Sequence, residues 1–223
     1  MRKSLVFVFF GVTALAFGQK GTAVDYFPLN QVALSESVFS RAMQTDKDYI
    51  LSMDADRLLA PYLKEAGINP KKSNYPNWEN TGLDGHVGGH YITALALMYA
   101  STGDKKLKQR LDYMIDELER CQNLSGNGYL SGVPNGKKIW QEIAEGNIRA
   151  SGFGLNDRWV PLYNIHKTYS GLRDAYLFGE SEKAKKMLIR LTDWMADEVS
   201  KLSDAQIQDM LRSEHGGLNE VFA

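Results

Sequence analysis

The sequence predicts an all-α protein. Apolar residues recur at helical spacing along most of the chain, one helix-hairpin unit occurs twice, and no βαβ alternation is visible. The composition is that of a globular domain, with 223 residues, 43% hydrophobic and 24% charged, and a formal net charge of −1. It argues against a disordered, collagen-like or polytopic membrane protein. The near-neutral charge gives no reason to expect a nucleic-acid partner.

The duplicated unit consists of a histidine, an apolar helix, a glycine, an acidic residue and an amphipathic helix. His90 precedes Gly103 by thirteen residues, and His166 precedes Gly179 by the same interval. Helix hairpins that repeat with long connections are typical of a solenoid or an α/α toroid. Short loops at one pole and long loops at the other favour the toroid, with its site at the long-loop pole.

Residues 1–18 have the layout of a signal peptide. Arg2 and Lys3 precede an apolar run over 5–17, and a small-x-small pattern ends at Gly18. The run is too short and too weakly flanked for a stable membrane span; the alternative is a buried N-terminal strand or helix. We therefore expect residues 19–223 to be exported to the periplasm or the extracellular space, with no membrane span after signal removal.

The first part of the mature chain predicts an extended segment, two helices and a loop between them. Residues 27–34 are expected to be extended. Asp46 is a suitable N-cap for a helix that ends near Pro61. A polar loop over 67–85 then leads to a mostly apolar helix over 86–100.

The remaining chain alternates amphipathic helices with loops. Residues 102–104 end the apolar helix and start one whose apolar stripe is Leu107, Leu111, Met114, Leu118 and Cys121. The later elements are a Gly-rich loop over 126–136, a segment over 140–148, an apolar helix over 159–178, a second stripe at Ala184, Leu188, Leu191 and Met195, a short helix over 204–211 and a helix start at 219–223.

All four histidines, His86, His90, His166 and His215, fall near predicted helix starts. The duplicated unit places His90 and His166 at equivalent poles. A helix N-terminus disfavours the imidazolium, and a neutral imidazole both donates and accepts hydrogen bonds, which suits sugar hydroxyls. Capping or core packing is the alternative interpretation.

A metal site is only weakly indicated. His86 and His90 are spaced i, i+4, but Val-Gly-Gly between them gives no HExxH arrangement, and we assign no metal ligand. The lone Cys121 excludes an intramolecular disulfide framework and is interpreted as a packing residue. Gly88 and Gly89 cost their helix roughly 1 kcal/mol each, which suggests the close approach of another helix or a ligand.

Aromatic and acidic residues accompany the long loops. The aromatic residues, which can stack on sugar rings or form a hydrophobic lid, are Trp78, Tyr129, Trp140, Trp159 and Tyr163. The carboxylates are Glu79, Glu142, Glu145, Glu214 and Glu220. A glycosidase normally needs two carboxylates beside the scissile bond, but the sequence does not select a pair.

Three blocks of sequence together resemble the β-L-arabinofuranosidase family of glycoside hydrolases, the family 127 and 146 group. They are NWENTGLDGHVGGHYITALALMYASTGD, RWVPLYNIHKTYSGLRDAY and EHGGLNEVFA. The upstream stretch DYILSMDADRLLAPYLKEAGI is similar to the first helix of that family, so the resemblance covers roughly residues 25–223. It implies an (α/α)6 barrel, of which this chain holds about the first half of the helices, acting on arabinose-containing oligo- or polysaccharides of plant type.

The resemblance also implies roles for individual residues. By motif position, His90 and His215 match sugar-binding histidines of the family. The other residues expected at the pocket are His86, His166, Glu220, Trp78, Trp159 and Tyr163.

The catalytic centre implied by the resemblance is a Cys nucleophile held by zinc, with further Cys and a Glu as ligands and a separate Glu as acid/base. In the family these residues follow the block that ends this chain. We therefore expect the catalytic residues to lie downstream of Ala223, zinc to belong to the full-length enzyme, and this N-terminal part to be inactive alone. A non-catalytic α-helical glycan-binding module, or an α/α-barrel lyase or other glycosidase, remains open.

Overall fold

Helices dominate residues 26–223, the part of the chain that the computed structural model describes. The predicted signal peptide lies outside these residues. The helices are α1 Val38–Ser52, α2 Ala55–Glu65, α3 His86–Thr102, α4 Lys105–Ser125, α5 Gly136–Ala144, α6 Pro161–Leu177, α7 Glu182–Val199, α8 Asp204–Met210 and α9 Leu218–Phe222. Two 3-10 turns span Leu29–Gln31 and Asn77–Asn80. Three two-residue strands, β1 Ala150–Ser151, β2 Gly154–Leu155 and β3 Arg158–Trp159, form an antiparallel sheet. The all-α prediction is confirmed.

The start of the helical region differs from the prediction. Asp46 lies inside α1, which is capped by Ser37 in a capping box with Ser40. A second cap, at Asp54, accepts a hydrogen bond from a backbone N–H and begins α2. Pro61 lies inside α2 and does not end it, and its buried ring packs closely against Gly132. Two helices therefore replace the single helix predicted from Asp46, and residues 27–34 contain a 3-10 turn rather than one extended segment.

The duplicated unit folds as two helix hairpins, α3–α4 and α6–α7. Gly103 ends α3 with a left-handed backbone, φ 67°, and the Asp104 carboxylate caps α4. The second hairpin turns over 178–181, where the Ser181 hydroxyl caps α7. Both connections are short, whereas long loops lead into the N-termini of α3 and α6.

α3 and α6 lie side by side and run parallel. The Asn164 amide donates to the Leu83 carbonyl, 3.0 Å away, at the start of the pair. Further along, the Thr93 hydroxyl donates to the Asp174 carboxylate, 2.8 Å away. Because partner positions rise together along both helices, their N-termini meet at one end. We call this end, with the loops over 66–85 and 145–160, the long-loop pole.

Glycines allow this helix pair to approach closely. A Cβ on Gly89 would lie 2.3 Å from the Lys167 carbonyl oxygen, and one on Gly171 would lie 2.8 Å from the Gly89 carbonyl oxygen. A Cβ on Gly88 would lie 2.9 Å from the Tyr62 ring. The predicted close approach is therefore that of neighbouring helices.

The core lies between the helices. Every member of the first apolar stripe is buried, and in the second stripe Leu188 alone is half-buried. Cys121 belongs to this core, and burial raises the pKa of its thiol to about 12. Over residues 26–223 no helix is both long and apolar enough to cross a membrane.

Candidate functional site

Five rings at the long-loop pole form what we call the ring cluster: Trp78, His86, His90, Trp159 and Tyr163. The His86 ring is central, with centroid distances of 6.3 Å to His90, 6.3 Å to Tyr163 and 6.4 Å to Trp78. Trp159 meets Trp78 edge-on at 6.4 Å. The structure thus brings together five residues that the sequence placed at the pocket.

Four separate elements position these rings. Trp78 lies in the 3-10 turn before α3, and Trp159 ends β3. His86 and His90 occupy the first two turns of α3, where i, i+4 spacing places them on one face. Tyr163 lies in the first turn of α6.

The ring cluster combines accessible aromatic faces with polar atoms. Trp78 is 63% exposed and Trp159 37% exposed, whereas His86 is buried and Tyr163 half-buried. A cleft of about 630 Å³ lies beside Trp78 and His86. Exposed indole faces next to hydrogen-bonding rings are suited to a sugar, which has apolar ring faces and a polar rim.

The buried Glu79 carboxylate lies against the ring cluster at the start of α3. Glu79 is 3% exposed, and its Oε1 lies 2.7 Å from Nδ1 of His86. The same carboxylate accepts the backbone N–H groups of Gly85 and Val87, at 3.1 and 3.0 Å. Glu79 therefore caps α3 and lies against the His86 ring, whose Nδ1 bonds to the Leu83 carbonyl oxygen 2.7 Å away. The sequence showed Glu79 only as one of five carboxylates, and its place directly after Trp78 is the one signal that marks it.

The turn that precedes α3 is fixed from two further helices. The Tyr62 hydroxyl donates to the Gly85 carbonyl, 2.7 Å away. The Asn164 amide donates to the carbonyls of Leu83 and Asp84, at 3.0 and 2.8 Å. These buried bonds give the start of α3, and with it His86, a defined position relative to α6.

His166 lies beneath the Gly216–Gly217 turn. Its Nδ1 accepts the Gly217 backbone N–H at 3.2 Å, and a Cβ on Gly217 would lie 2.9 Å from the ring. Burial, with a smaller contribution from the Lys167 ammonium, lowers the pKa of His166 to about 4. His166 is therefore neutral near pH 7, and the second and third sequence blocks meet at its ring.

His215 and Glu220 lie at the edge of this arrangement. His215 is half-buried, and its Nδ1 lies 3.2 Å from the Ser213 carbonyl oxygen. Glu220 is exposed and lies 3.6 Å from the Arg173 guanidinium. Among the described contacts, neither side chain joins the ring cluster.

Lys167 is a residue that the sequence did not single out, and its place next to His166 is the available signal. Its ammonium lies 4.7 Å from the centre of the Tyr163 ring, and burial lowers its pKa. Partial burial, the Lys167 charge and His86 also lower the pKa of His90. The neutral form is thus favoured at His90 and at His166.

A family model described as the β-L-arabinofuranosidase GH127 catalytic domain matches residues 31–223. The chain belongs to the GH127 β-L-arabinofuranosidase family. The matched residues include the whole ring cluster and both helix hairpins, and the family resemblance seen in the sequence is confirmed. A search of curated proteins finds no match to the chain.

Two aromatic residues considered for stacking on sugars lie in the core of this GH127 domain instead. Tyr129 and Trp140 are buried and pack edge-on against Trp194, with ring centroids 4.9 and 5.4 Å apart. Of the remaining carboxylates, Glu142 pairs with Arg149 at 3.0 Å. All of these aromatic residues lie in or beside long loops in the sequence, so that position alone did not distinguish the buried Tyr129 and Trp140 from the exposed Trp78 and Trp159.

The described residues of this GH127 chain do not fit the zinc–cysteine centre that the resemblance implies. Within residues 26–223, no group of three or more His, Cys, Asp or Glu side chains is close enough to hold a metal ion. Cys121 is buried on α4, and its raised pKa opposes the thiolate that zinc requires.

Proposed function

We propose that this GH127 chain supplies the glycan-binding surface of a secreted glycoside hydrolase that releases arabinose from plant-type glycans. The observation that carries the proposal is the ring cluster, which gathers predicted pocket residues at the pole where α3 and α6 begin. Trp78 and Trp159 offer indole faces for stacking, and His86 and His90 offer nitrogen atoms for hydroxyl groups.

Neutral histidines serve this role better than charged ones. A neutral imidazole can accept a hydroxyl proton at one nitrogen and donate from the other, whereas an imidazolium can only donate. The lowered pKa values of His90 and His166 keep both rings neutral near pH 7. Lys167 and Glu220 add a donor and an acceptor at the border of the pocket.

Sugar binding and bond cleavage are assigned to different residues. The described residues bind and orient the arabinose ring. Cys121 is unsuited to act as the nucleophile, because burial raises the pKa of its thiol to about 12. We assign the Cys nucleophile, the zinc and the acid/base Glu to the whole enzyme, as the family resemblance implies. Export through the segment at 1–18 belongs to the same proposal; secretion of a fusion of residues 1–18 to a reporter tests it.

Calorimetric titration of the chain with L-arabinose tests the binding role. We expect saturable binding, and Trp78→Ala should weaken it about fivefold because one aromatic stacking contact contributes on the order of 1 kcal/mol. Tyr49→Ala is the matched control, since Tyr49 on α1 is also 63% exposed but lies outside the ring cluster. Absence of binding, or an equal loss in both variants, would contradict the proposal.

A non-catalytic glycan-binding protein is the second candidate, favoured by the buried, unreactive environment of Cys121. A chromogenic β-L-arabinofuranoside distinguishes the two functions. Release of the chromophore by the full-length gene product, in the presence of zinc, supports the hydrolase. Binding of L-arabinose without release supports the second candidate.

A further inference from the structure

Val160 has a backbone conformation that its own side chain disfavours. It lies between β3 and α6 in the left-handed region, with φ 37° and ψ 53°. The branch at Cβ makes this conformation costly, and glycine, asparagine and aspartate are the residues that usually adopt it. Pro161 follows directly, and the residue before a proline prefers an extended backbone. Two local preferences are therefore broken at one residue.

The other described residues with a positive φ, glycines aside, follow the usual preferences more closely. They are Asn77, Asn135, Asn156, Asp157 and Glu180. Asparagine and aspartate tolerate this region, and Glu180 is exposed and has no branch at Cβ. Val160 is only 4% exposed, and within residues 26–223 it is the one such residue that is branched at Cβ. A conformation of this kind persists only where the surrounding structure holds it.

Hydrogen bonds hold the backbone of Val160 on both sides. Its N–H donates to the Phe153 carbonyl, 3.1 Å away, in the turn between β1 and β2. Its carbonyl accepts the Asn164 N–H at 3.0 Å in the first turn of α6. Because both backbone groups are bonded and the side chain is buried, Val160 cannot relax without breaking these contacts.

The small sheet before Val160 is anchored by Asn156. This buried side chain donates to the Asn147 carbonyl at 2.8 Å and accepts the Arg149 N–H at 3.0 Å. β2 and β3 pair next to it, with Gly154 opposite Trp159. The sheet therefore fixes the point at which the chain enters Val160.

A single left-handed residue thus turns the chain from β3 directly into α6. Trp159 immediately precedes Val160, and Tyr163 follows it in the first turn of α6. The Trp159 ring lies 6.4 Å from the Trp78 ring, and the Tyr163 ring lies 6.3 Å from the His86 ring. The turn at Val160 sets how these two parts of the ring cluster lie relative to each other.

We propose that Val160 is a positioning residue, whose strained left-handed backbone holds the Trp159 indole in the ring cluster. Glycine adopts the same backbone angles without strain, but it also adopts many others, so the indole before it would lose its fixed orientation. Val160 therefore lowers the stability of the fold and increases the order of the pole. The contact of Trp159 with a sugar rests on the proposed function, whereas the strain and the order of the indole do not.

Urea denaturation of Val160→Ala and Val160→Gly tests the strain. Both substitutions remove the branch at Cβ, and only glycine also frees the backbone. We expect Val160→Gly to have the higher urea midpoint of the two. Val133 is the matched control, since it is also buried but has no positive φ, and there the alanine variant should have the higher midpoint. A higher midpoint for alanine at both positions would overturn the inference.

The heteronuclear NOE of the Trp159 indole N–H tests its order without any ligand, with the signal assigned by Trp159→Phe. We expect a lower NOE in Val160→Gly than in Val160→Ala, because the glycine backbone no longer restricts the indole. The signal of Trp140, which is buried in the core, should have the same NOE in both variants. An equally ordered Trp159 indole in the two variants would overturn the inference.

Titration with L-arabinose tests the consequence for binding. We expect Val160→Gly to weaken binding about threefold, since a mobile indole loses part of one stacking contact, and Val160→Ala to weaken it less than twofold. Glu180→Gly, which changes a left-handed residue in the turn between α6 and α7, should leave binding unchanged. The expected NOE values with no binding by the unmodified chain would overturn the proposed function and support the positioning of Trp159. Equal binding by Val160→Gly and Val160→Ala would overturn the inference alone.

Discussion

Glu79 Oε1 and His86 Nδ1 lie 2.7 Å apart, and both side chains are buried. The carboxylate comes from the loop before α3, and the imidazole from the first residue of that helix. The same carboxylate caps α3 by accepting the Gly85 and Val87 N–H groups, while the Leu83 carbonyl oxygen lies 2.7 Å from the same nitrogen of the His86 ring. Trp78, adjacent to Glu79, is positioned by the same turn.

The close contact between α3 and α6 predicts that Gly89→Ala strongly lowers the free energy of unfolding. The added methyl would lie 2.3 Å from the Lys167 carbonyl oxygen, and neither backbone can move without shifting its helix. We expect the free energy of unfolding to fall by about 2 kcal/mol or more, measured by urea denaturation.

Gly152→Ala is the control for this substitution. No atom lies within 4 Å of a Cβ built on Gly152, so its effect should stay within about 0.5 kcal/mol. Equal stability of the two variants would contradict the close packing of α3 on α6.

The lowered pKa of His166 predicts that the stability of the folded chain depends on pH. Its pKa is about 4 in the folded chain, below the ordinary 6.5, so between these values the unfolded chain binds a proton that the folded chain does not. Stability is therefore lost as the pH falls from about 6.5 towards 4. We expect this histidine to contribute on the order of 2 kcal/mol to that loss.

His166→Asn isolates the effect from other titrating groups. Asparagine can still accept the Gly217 N–H but does not titrate. Urea denaturation at pH 7 and at pH 4.5 should show a smaller loss of stability for the variant than for the unmodified chain. The same pH dependence in both proteins would show that His166 is not desolvated.

Thr93→Val tests the polar link between the two parallel helices. The Thr93 hydroxyl donates to the Asp174 carboxylate at 2.8 Å in a half-buried position, so its removal should cost about 1–2 kcal/mol. Thr192→Val is the control, because the exposed Thr192 hydroxyl bonds to a carbonyl of its own helix. Thermal unfolding of both variants measures the difference, and a greater loss for Thr192→Val would refute the assignment.

The burial of Cys121 predicts that its thiol is unreactive in the folded chain. Burial on α4 raises its pKa to about 12, so the thiolate is scarce at pH 8. Alkylation by iodoacetamide should be at least about a hundredfold slower in the folded chain than in denaturant. Rapid alkylation of the folded chain would instead support a catalytic role for this cysteine.

The sequence predicted the elements whose signals are long and periodic. The stripe from Leu107 to Cys121 and the duplicated hairpin each extend over several turns, so competing local signals did not obscure them. The predicted start of α1, at Asp46, was wrong. Asp46 and Ser37 are both suitable N-cap residues, and the capping box with Ser40 selects Ser37.

The candidate site was predictable in part. His86 and His90 were found because they begin a helix within a duplicated unit. Glu79 was not selected, since its burial results from the 3-10 turn at Asn77–Asn80 and not from any periodic pattern. Strands of two residues, such as Arg158–Trp159, carry too little pattern to be recognised.

The four tryptophans provide the most direct test of the sugar-binding pole. Trp78 and Trp159 belong to the ring cluster, whereas Trp140 and Trp194 are buried in the core. A proton–nitrogen correlation spectrum resolves the indole N–H of each residue during titration with L-arabinose. The account predicts that the signals of Trp78 and Trp159 shift with a common saturation curve while those of Trp140 and Trp194 stay in place. Four unchanged signals, or shifts confined to the core pair, would contradict it.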